Sequence, residues 1–296
     1  MNDVGIVGAL YGTLLTWGLT AVGAAGILVI PASTSPARQR CILDASFGFA
    51  AGIMTAASFW SLLHPAMELA QATGAFVSCP YVPVSIGFIL GAAFVHLADW
   101  ALKEYRFDGM APSSSSSPDD DKIAKAKSQT QWRRTVLIVI AITAHNIPEG
   151  LAVGVAFATM PLGRARSLAI AIGLQNMPEG LAVSLPLYRA GASAWKAFFI
   201  GQLSGMVEPV GGFLGAYAVT LFEPMLPWAM AFAAGAMIFV VYGIGARYRV
   251  WATLLTRAPG RFDDIVPECS AEGNTRLASW FGIGGFVLMT VMDVMF

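Results

Sequence analysis

Two short segments of the chain repeat one pattern of polar residues inside otherwise apolar sequence. They read His145-Asn-Ile-Pro-Glu149 and Gln175-Asn-Met-Pro-Glu179, and Gly-Leu-Ala-Val follows both. A carboxylate in a helix long enough to cross a hydrocarbon layer is costly unless it has a partner. Because the same costly feature occurs twice in matching contexts, we predict one site built from two helices, and the residue types indicate a metal ion.

The polar residues of each segment share one face of a helix. His145 and Glu149 are four residues apart, and Asn146 lies three residues before Glu149, so the three side chains lie on the same face. The second segment repeats this spacing with Gln175, Asn176 and Glu179.

Prolines accompany all three carboxylates of this region. Pro148 and Pro178 each remove one backbone hydrogen bond inside a helix, and Glu208 directly precedes Pro209 in the next apolar stretch. Unwound backbone is tolerated at membrane depth only where protein or a cavity surrounds it. The prolines therefore indicate an enclosed site.

The candidate ligands are one imidazole, three carboxylates and three amides, a mixture of nitrogen and oxygen that suits zinc and other first-row divalent ions. Two ions sharing Glu149 and Glu179 are feasible, because three carboxylates offset most of their four positive charges. Each residue has an alternative role, since an intramembrane glutamate can be a protonated donor between helices and a histidine a structural hydrogen-bonder. The repetition favours the metal site.

The composition is that of a multi-pass membrane protein. Hydrophobic residues make up 56% of the chain and charged residues 12%, and the mean hydropathy is +0.64, whereas soluble domains are about 25% charged. A span needs about 20 apolar residues. We predict eight spans, at 4–30, 42–71, 83–104, 132–159, 165–188, 194–221, 225–242 and 277–295.

Charge and cysteine usage narrow the class further. The formal net charge is +0, which gives no signal for a nucleic-acid partner. Cys41, Cys79 and Cys269 are odd in number and far apart, so neither a disulfide framework nor a cysteine-based zinc site is predicted.

The basic residues predict the orientation. With eight spans and the N-terminus outside, only Arg164 and Arg166 of the 18 Lys and Arg residues fall on the outer side, as the positive-inside rule requires. Both termini are then non-cytosolic. The segment 105–131, which contains Ser113 to Ser117, is predicted to be a disordered cytosolic loop.

The paired motifs resemble those of the ZIP (ZRT/IRT-like) divalent-metal transporters, in particular the GufA-like branch with His-Asn-x-Pro-Glu-Gly and Gln-Asn-x-Pro-Glu-Gly. The resemblance covers nearly the whole chain as one transporter domain, residues 1–296. It implies an all-α fold of eight helices in a 3+2+3 inverted-repeat bundle, usually dimeric, in which one bundle slides against the other. It also implies a binuclear midplane site. One subsite would use His145, Glu149, Gln175 and Glu179, and the other Asn146, Glu149, Asn176, Glu179 and Glu208.

The resemblance also implies a transport path. Met54 would lie beside the first subsite, or be an ordinary core methionine. Toward the outer mouth lie Ser61, His64, Glu68 and Asp293; the two acids could equally be interfacial charges, and His64 structural. On the cytosolic route lie His96 and Asp99.

Span seven departs from the family pattern. After Tyr242 the family continues directly into two acidic or metal-binding residues, but here the segment 243–262 comes before Asp263 and Asp264. We hypothesise that 243–262 is a retained intron or gene-model error translated in frame; the rival is a real cytosolic loop insertion. If the insert is real, the span is expected to end at Tyr242 and Asp264 to be displaced from the exit path.

The predicted function is movement of zinc or a related divalent ion into the cytosol by alternating access, with the ion as substrate and no cofactor. Two alternatives remain. The first is a non-transporting metal-binding or sensor protein; the second is an intramembrane zinc hydrolase, against which the chain lacks His-Glu-x-x-His. The predicted partners are a divalent metal ion, the lipid bilayer and a second copy of the chain. Plasma membrane and secretory-pathway or organelle membranes are both compatible, and ligand types do not separate Zn²⁺ from Fe²⁺, Mn²⁺ or Cd²⁺.

Overall fold

The computed structural model describes residues 3–30, 34–72, 78–104, 140, 142–189, 191–221, 223–256 and 275–295. Across these ranges the chain is helical, apart from short connections. The helices are α1 (Asp3–Ala24), α2 (Pro36–Ala56), α3 (His64–Ala72), α4 (Tyr81–Glu104), α5 (142–159), α6 (Leu162–Arg189), α7 (Ala194–Leu203), α8 (Val207–Leu221), α9 (Leu226–Thr256) and α10 (Thr275–Met295).

The joins between α2 and α3 and between α7 and α8 each contain a change of helix type. A π-helical stretch, Ala57–Leu63, joins α2 to α3, and Pro65 lies just beyond it, where the proline ring cannot continue a regular α-helical ladder. A 3₁₀ turn, Ser204–Met206, joins α7 to α8 immediately before Glu208.

Among the described residues, six continuous helical rods are long and apolar enough to cross a membrane, and each coincides with a predicted span. They are Gly5–Leu28, Ala37–Ala72, Tyr81–Ala98, Leu162–Tyr188, Ala194–Val219 and Arg276–Met295. A shorter apolar helix, Leu226–Val241, lies at the predicted span 225–242. The predicted span 132–159 is described only from residue 140, and the loop 105–131 lies outside the described residues. The chain is an all-α, multi-pass membrane protein.

The apolar part of helix α9 ends at Val241, next to the predicted end of span seven at Tyr242. The helix itself continues for fourteen residues beyond Tyr242, to Thr256. The added stretch contains no proline, and Gly243 and Gly245 cost a helix only about 1 kcal/mol each. Nothing in this stretch therefore stops the helix. Beyond Val241 the sequence mixes arginines with apolar residues. Residues 257–264 lie outside the described ranges.

The helices pack in two groups. In the first, α1 packs along α6, α7 and α8, and also contacts α5, where Gly5 lies against Ala158. In the second, α2 packs along α10, α4 packs along α9, and α3 contacts both α4 and α9. The two groups meet mainly where α2 crosses α6.

Small residues allow the closest crossings. A Cβ atom on Gly52 would overlap the carbonyl oxygen of Gly282, and one on Gly154 would overlap that of Gly212. Such crossings are the usual means of packing helices in lipid, where hydrophobic burial does not drive association.

Candidate metal site

The candidate site lies where α5, α6 and α8 meet inside the first group of helices. A Cβ atom on Gly150 would lie 2.8 Å from the Cα of Glu208, and Gly180 packs equally closely on the backbone of α1. The glycine that follows each glutamate of the repeated segments therefore lets a neighbouring helix approach that glutamate.

All of the predicted ligands are buried in spite of their polarity. None is more than 8% exposed. They are His145, Asn146, Glu149, Gln175, Asn176, Glu179 and Glu208.

Hydrogen bonds link the two repeated segments to each other and to α8. Gln175 Nε2 donates to Glu149 Oε1 at 2.9 Å, which joins α6 to α5. Asn176 Nδ2 donates to Glu208 Oε1 at 3.0 Å, and Asn146 Nδ2 reaches the same oxygen at 3.4 Å. The amides therefore act as donors that hold the carboxylates, as expected for buried acids that need partners.

Several other oxygens of these ligand side chains indicate what the site can bind. Within the described part of the chain, one oxygen of each of five ligands is buried and accepts no hydrogen bond. They are Asn146 Oδ1, Glu149 Oε2, Gln175 Oε1, Asn176 Oδ1 and Glu208 Oε2. A buried acceptor without a donor costs about 1–3 kcal/mol, so a cluster of them fits a cation.

The negative charges of the three glutamates also favour a cation. Glu149 lies within electrostatic reach of both Glu179 and Glu208, and the three acids repel one another unless positive charge or protons offset them. Across the residues that the structure describes, His, Cys, Asp and Glu side chains alone do not form a group of three placed to hold a metal. The amide oxygens are therefore needed to complete a ligand set.

Known proteins are similar in sequence to almost the whole of this chain. A family model described as ZIP zinc transporter matches residues 108–243. The chain is 42% identical to zinc transporter ZIP11 of Xenopus tropicalis, covering 98% of this chain and 97% of the relative. The chain belongs to the ZIP family of zinc transporters.

Two further relatives extend this ZIP assignment. Zinc transporter ZIP11 of Homo sapiens is 42% identical over 97% of this chain and 96% of its own length. Zinc transporter GufA of Myxococcus xanthus is 34% identical over 96% of this chain and 98% of its own length. The predicted resemblance to the GufA-like branch is thereby confirmed. The family-model match ends at Gly243, the first residue of the unusual segment 243–262.

The residues predicted to lie toward the outer mouth form two separate contacts. Ser61 is buried in the π-helical stretch, and its Oγ donates to Asp293 Oδ1 on α10 at 3.0 Å. His64 Nδ1 lies 3.7 Å from Glu68 Oε1, and both side chains are 60% exposed.

Of the other predicted path residues, the structure describes the side chains of two. Met54 is buried on α2 within the apolar core, and His96 is exposed on α4, with its ring centroid 5.7 Å from that of Phe239. The side chain of Asp99 and both Asp263 and Asp264 lie outside the described residues.

Polar residues that the sequence analysis did not select also lie beside the site or are buried elsewhere. Thr16 and Thr20 of α1 are fully buried next to Glu208. Asp44 is 4% exposed and lies in the half of α2 that is farther from the π-helical stretch. The spacing of Thr13, Thr16 and Thr20 at three and four residues in an apolar helix was the signal for the threonines.

Proposed function

We propose that this ZIP protein moves zinc, or a related divalent ion, into the cytosol through a binuclear site on α5, α6 and α8. The observation that carries the proposal is the cluster of five buried oxygens that accept no hydrogen bond among the described residues. Its relatives are named as zinc transporters, which supports the choice of zinc.

The hydrogen bonds divide the ligands in the way the two proposed subsites require. The first subsite comprises His145, Glu149, Gln175 and Glu179, and within it Gln175 already bonds Glu149. The second comprises Asn146, Glu149, Asn176, Glu179 and Glu208, and within it both asparagines reach Glu208. These three hydrogen bonds join ligands of the same proposed set, and Asn146 Nδ2 also donates to the carbonyl oxygen of Ser204 at 3.0 Å, outside both sets. Glu149 and Glu179 would serve both ions.

Alternating access has a structural basis in the two groups of helices. All proposed ligands lie on α5, α6 and α8, which belong to the first group, so that group would carry the ions as it moves against the second. Movement of a 2+ ion toward a negative cytosol is favoured by roughly 4–5 kcal/mol per 100 mV, at about 2.3 per charge. The eight-helix 3+2+3 arrangement, the dimer and the outward-facing termini belong to the same proposal.

Zinc influx into proteoliposomes tests the function. Purified protein is reconstituted around a fluorescent zinc indicator, and initial rates are compared for the wild type and for Glu149→Gln. The variant keeps the size of the side chain but removes a charge that both ions share, so we expect at least a tenfold loss. Arg38→Gln is the control, because it removes a charge from an exposed side chain that belongs neither to the proposed ligand sets nor to the predicted path. Equal rates for wild type and Glu149→Gln would refute the site.

A second candidate function, metal binding without transport, is favoured by one observation. The family match ends where the segment 243–262 begins, and we propose that this segment interrupts the family pattern ahead of Asp263 and Asp264. Flux should be measured side by side for the chain as it stands and for a version without residues 243–262. Flux only in the shortened chain supports an interrupting insert, equal flux supports a tolerated loop, and binding without flux in both supports a sensor.

A further inference from the structure

Helix α1 presents a line of buried hydroxyl groups to the site helices. Thr13, Thr16 and Thr20 have no exposed surface, although most of α1 is apolar. They follow one another at three and four residues and therefore share one helix face. None of the three belongs to the proposed ligand sets.

The two oxygens of Glu208 have unequal surroundings. Its Oε1 accepts hydrogen bonds from the amide nitrogens of Asn176 and Asn146. Its Oε2 is buried and, among the described residues, accepts none. A carboxylate that is held through one oxygen presents the other in a fixed direction, as a single-oxygen metal ligand must.

Thr16 and Thr20 lie beside this carboxylate. Both hydroxyls are within hydrogen-bonding reach of Glu208. A Cβ atom on Gly205 would lie 2.9 Å from Thr20 Oγ1 and 3.0 Å from Glu208 Oε1, so the glycine leaves the space in which these two atoms approach each other.

Each hydroxyl has a choice of acceptor. Thr16 Oγ1 donates to the carbonyl oxygen of Thr13 at 3.0 Å, and Thr20 Oγ1 to that of Thr16 at 3.2 Å. A hydroxyl hydrogen rotates to suit its surroundings, and a bond to an ionised acceptor is roughly twice as strong as one to a neutral acceptor. Each hydroxyl hydrogen can therefore turn from its backbone carbonyl to Glu208.

We infer that Thr16 and Thr20 are positioning residues of the second subsite, which fix Glu208 through Oε1 so that Oε2 faces the ion. The inference rests on the proposed function, because it assigns α1 a part in the same binuclear site. It adds a fourth helix to the three that carry the ligands, and it ties the first group of helices together at the ion.

Zinc binding to purified full-length protein in detergent tests the inference. Titration calorimetry, or competition with a chromophoric chelator, gives the number of ions and both dissociation constants. The double variant Thr16→Val, Thr20→Val keeps the shape of both side chains but removes both hydroxyls. We expect roughly tenfold weaker binding of one ion, from the loss of bonds to a charged acceptor, with the other ion unaffected.

Two controls separate positioning from packing. Thr13→Val is the matched control, because the Thr13 hydroxyl donates to the carbonyl oxygens of Ala9 and Leu10 in its own helix, and it should leave both constants unchanged. The Thr16→Ser, Thr20→Ser variant keeps the hydroxyls and should restore wild-type binding. Equal constants for the double valine variant and Thr13→Val, or no rescue by serine, would overturn the inference.

A failure of the proposed function would give different results from a failure of this inference alone. If the wild type binds fewer than two zinc ions, or if Glu208→Gln leaves both constants unchanged, the binuclear site is wrong and the inference fails with it. If the wild type binds two ions and Glu208→Gln weakens one of them while the valine variant does not, only the role of the threonines is refuted.

Discussion

Replacing Asn176 by aspartate should make the protein less stable without zinc and bind zinc more tightly. Asn176 Nδ2 donates to Glu208 Oε1 at 3.0 Å. Aspartate removes this bond to a charged acceptor, which costs about 1.5–3 kcal/mol. It also places two carboxylates at about the same separation, where like charges repel by roughly 5 kcal/mol at an effective dielectric constant near 20.

The pair relieves part of that repulsion by moving apart or sharing a proton, so we expect Asn176→Asp to lose about 2–5 kcal/mol of stability in chelator. A zinc ion between the carboxylates reverses the sign of the interaction. With the added charge, four carboxylates match the four positive charges of two ions. Zinc affinity at one subsite should therefore rise at least tenfold, and flux should fall because release becomes slower.

Thermal unfolding in detergent, with chelator and with zinc, measures both halves of this prediction. The zinc-induced rise in melting temperature should be larger for Asn176→Asp than for the wild type. Asn176→Leu is the control, because it loses the same hydrogen bond without gaining charge, and it should bind zinc more weakly than the wild type. If aspartate and leucine had the same effect on zinc affinity, Asn176 would not face an ion.

Three further predictions test neighbouring parts of the molecule. Glu179→Ala should lower zinc influx at least tenfold, since both subsites share this carboxylate; near-normal flux would contradict a binuclear site. Gly205→Ala should weaken zinc binding, because its methyl group would fall 3.0 Å from the carboxylate held on α8, whereas Gly284→Ala meets nothing within 4 Å and should bind normally. Ser61→Ala removes the hydrogen bond to Asp293 and should slow influx several-fold while leaving the number of bound ions in equilibrium titrations unchanged.

The repeated segments could be predicted from sequence because the membrane makes their residues costly. A buried glutamate beside a proline stands out in an apolar helix, and its repetition predicts that α5 and α6 contribute to one site. Helix length and apolar content likewise predicted six rods that the structure contains. These features are local, so they are visible along the chain.

The features that could not be predicted from the sequence depend on how the helices pack or on where a helix ends without a proline or polar cap. Thr16 and Thr20 did not stand out, because threonines in membrane helices commonly bond their own backbone, as both do here. Their position beside Glu208 follows from the crossing of α1 with α6 and α8. The continuation of α9 beyond Tyr242 was not predicted, because the family pattern placed the end of the span there and the sequence analysis made no separate prediction for the helix.

The amide side chains explain how one site can both hold and release a divalent ion under the proposed function. A primary amide carries two donors and one acceptor. In this structure the nitrogens of Gln175 and Asn176 hold Glu149 and Glu208, while their oxygens accept no hydrogen bond among the described residues. Each amide therefore stabilises a carboxylate through its nitrogen before an ion arrives and can bind the ion through its oxygen afterwards.

Histidine or cysteine at the same positions would bind zinc more strongly. However, a neutral imidazole has one N–H donor where an amide has two, and a thiolate has none, so the carboxylates would have fewer hydrogen bonds when the ion departs. That cost would fall on the ion-free step of every transport cycle, since a buried charge without a partner is expensive at membrane depth. An amide-rich site binds the ion less tightly in exchange for a stable ion-free state, which is the balance that repeated uptake and release requires.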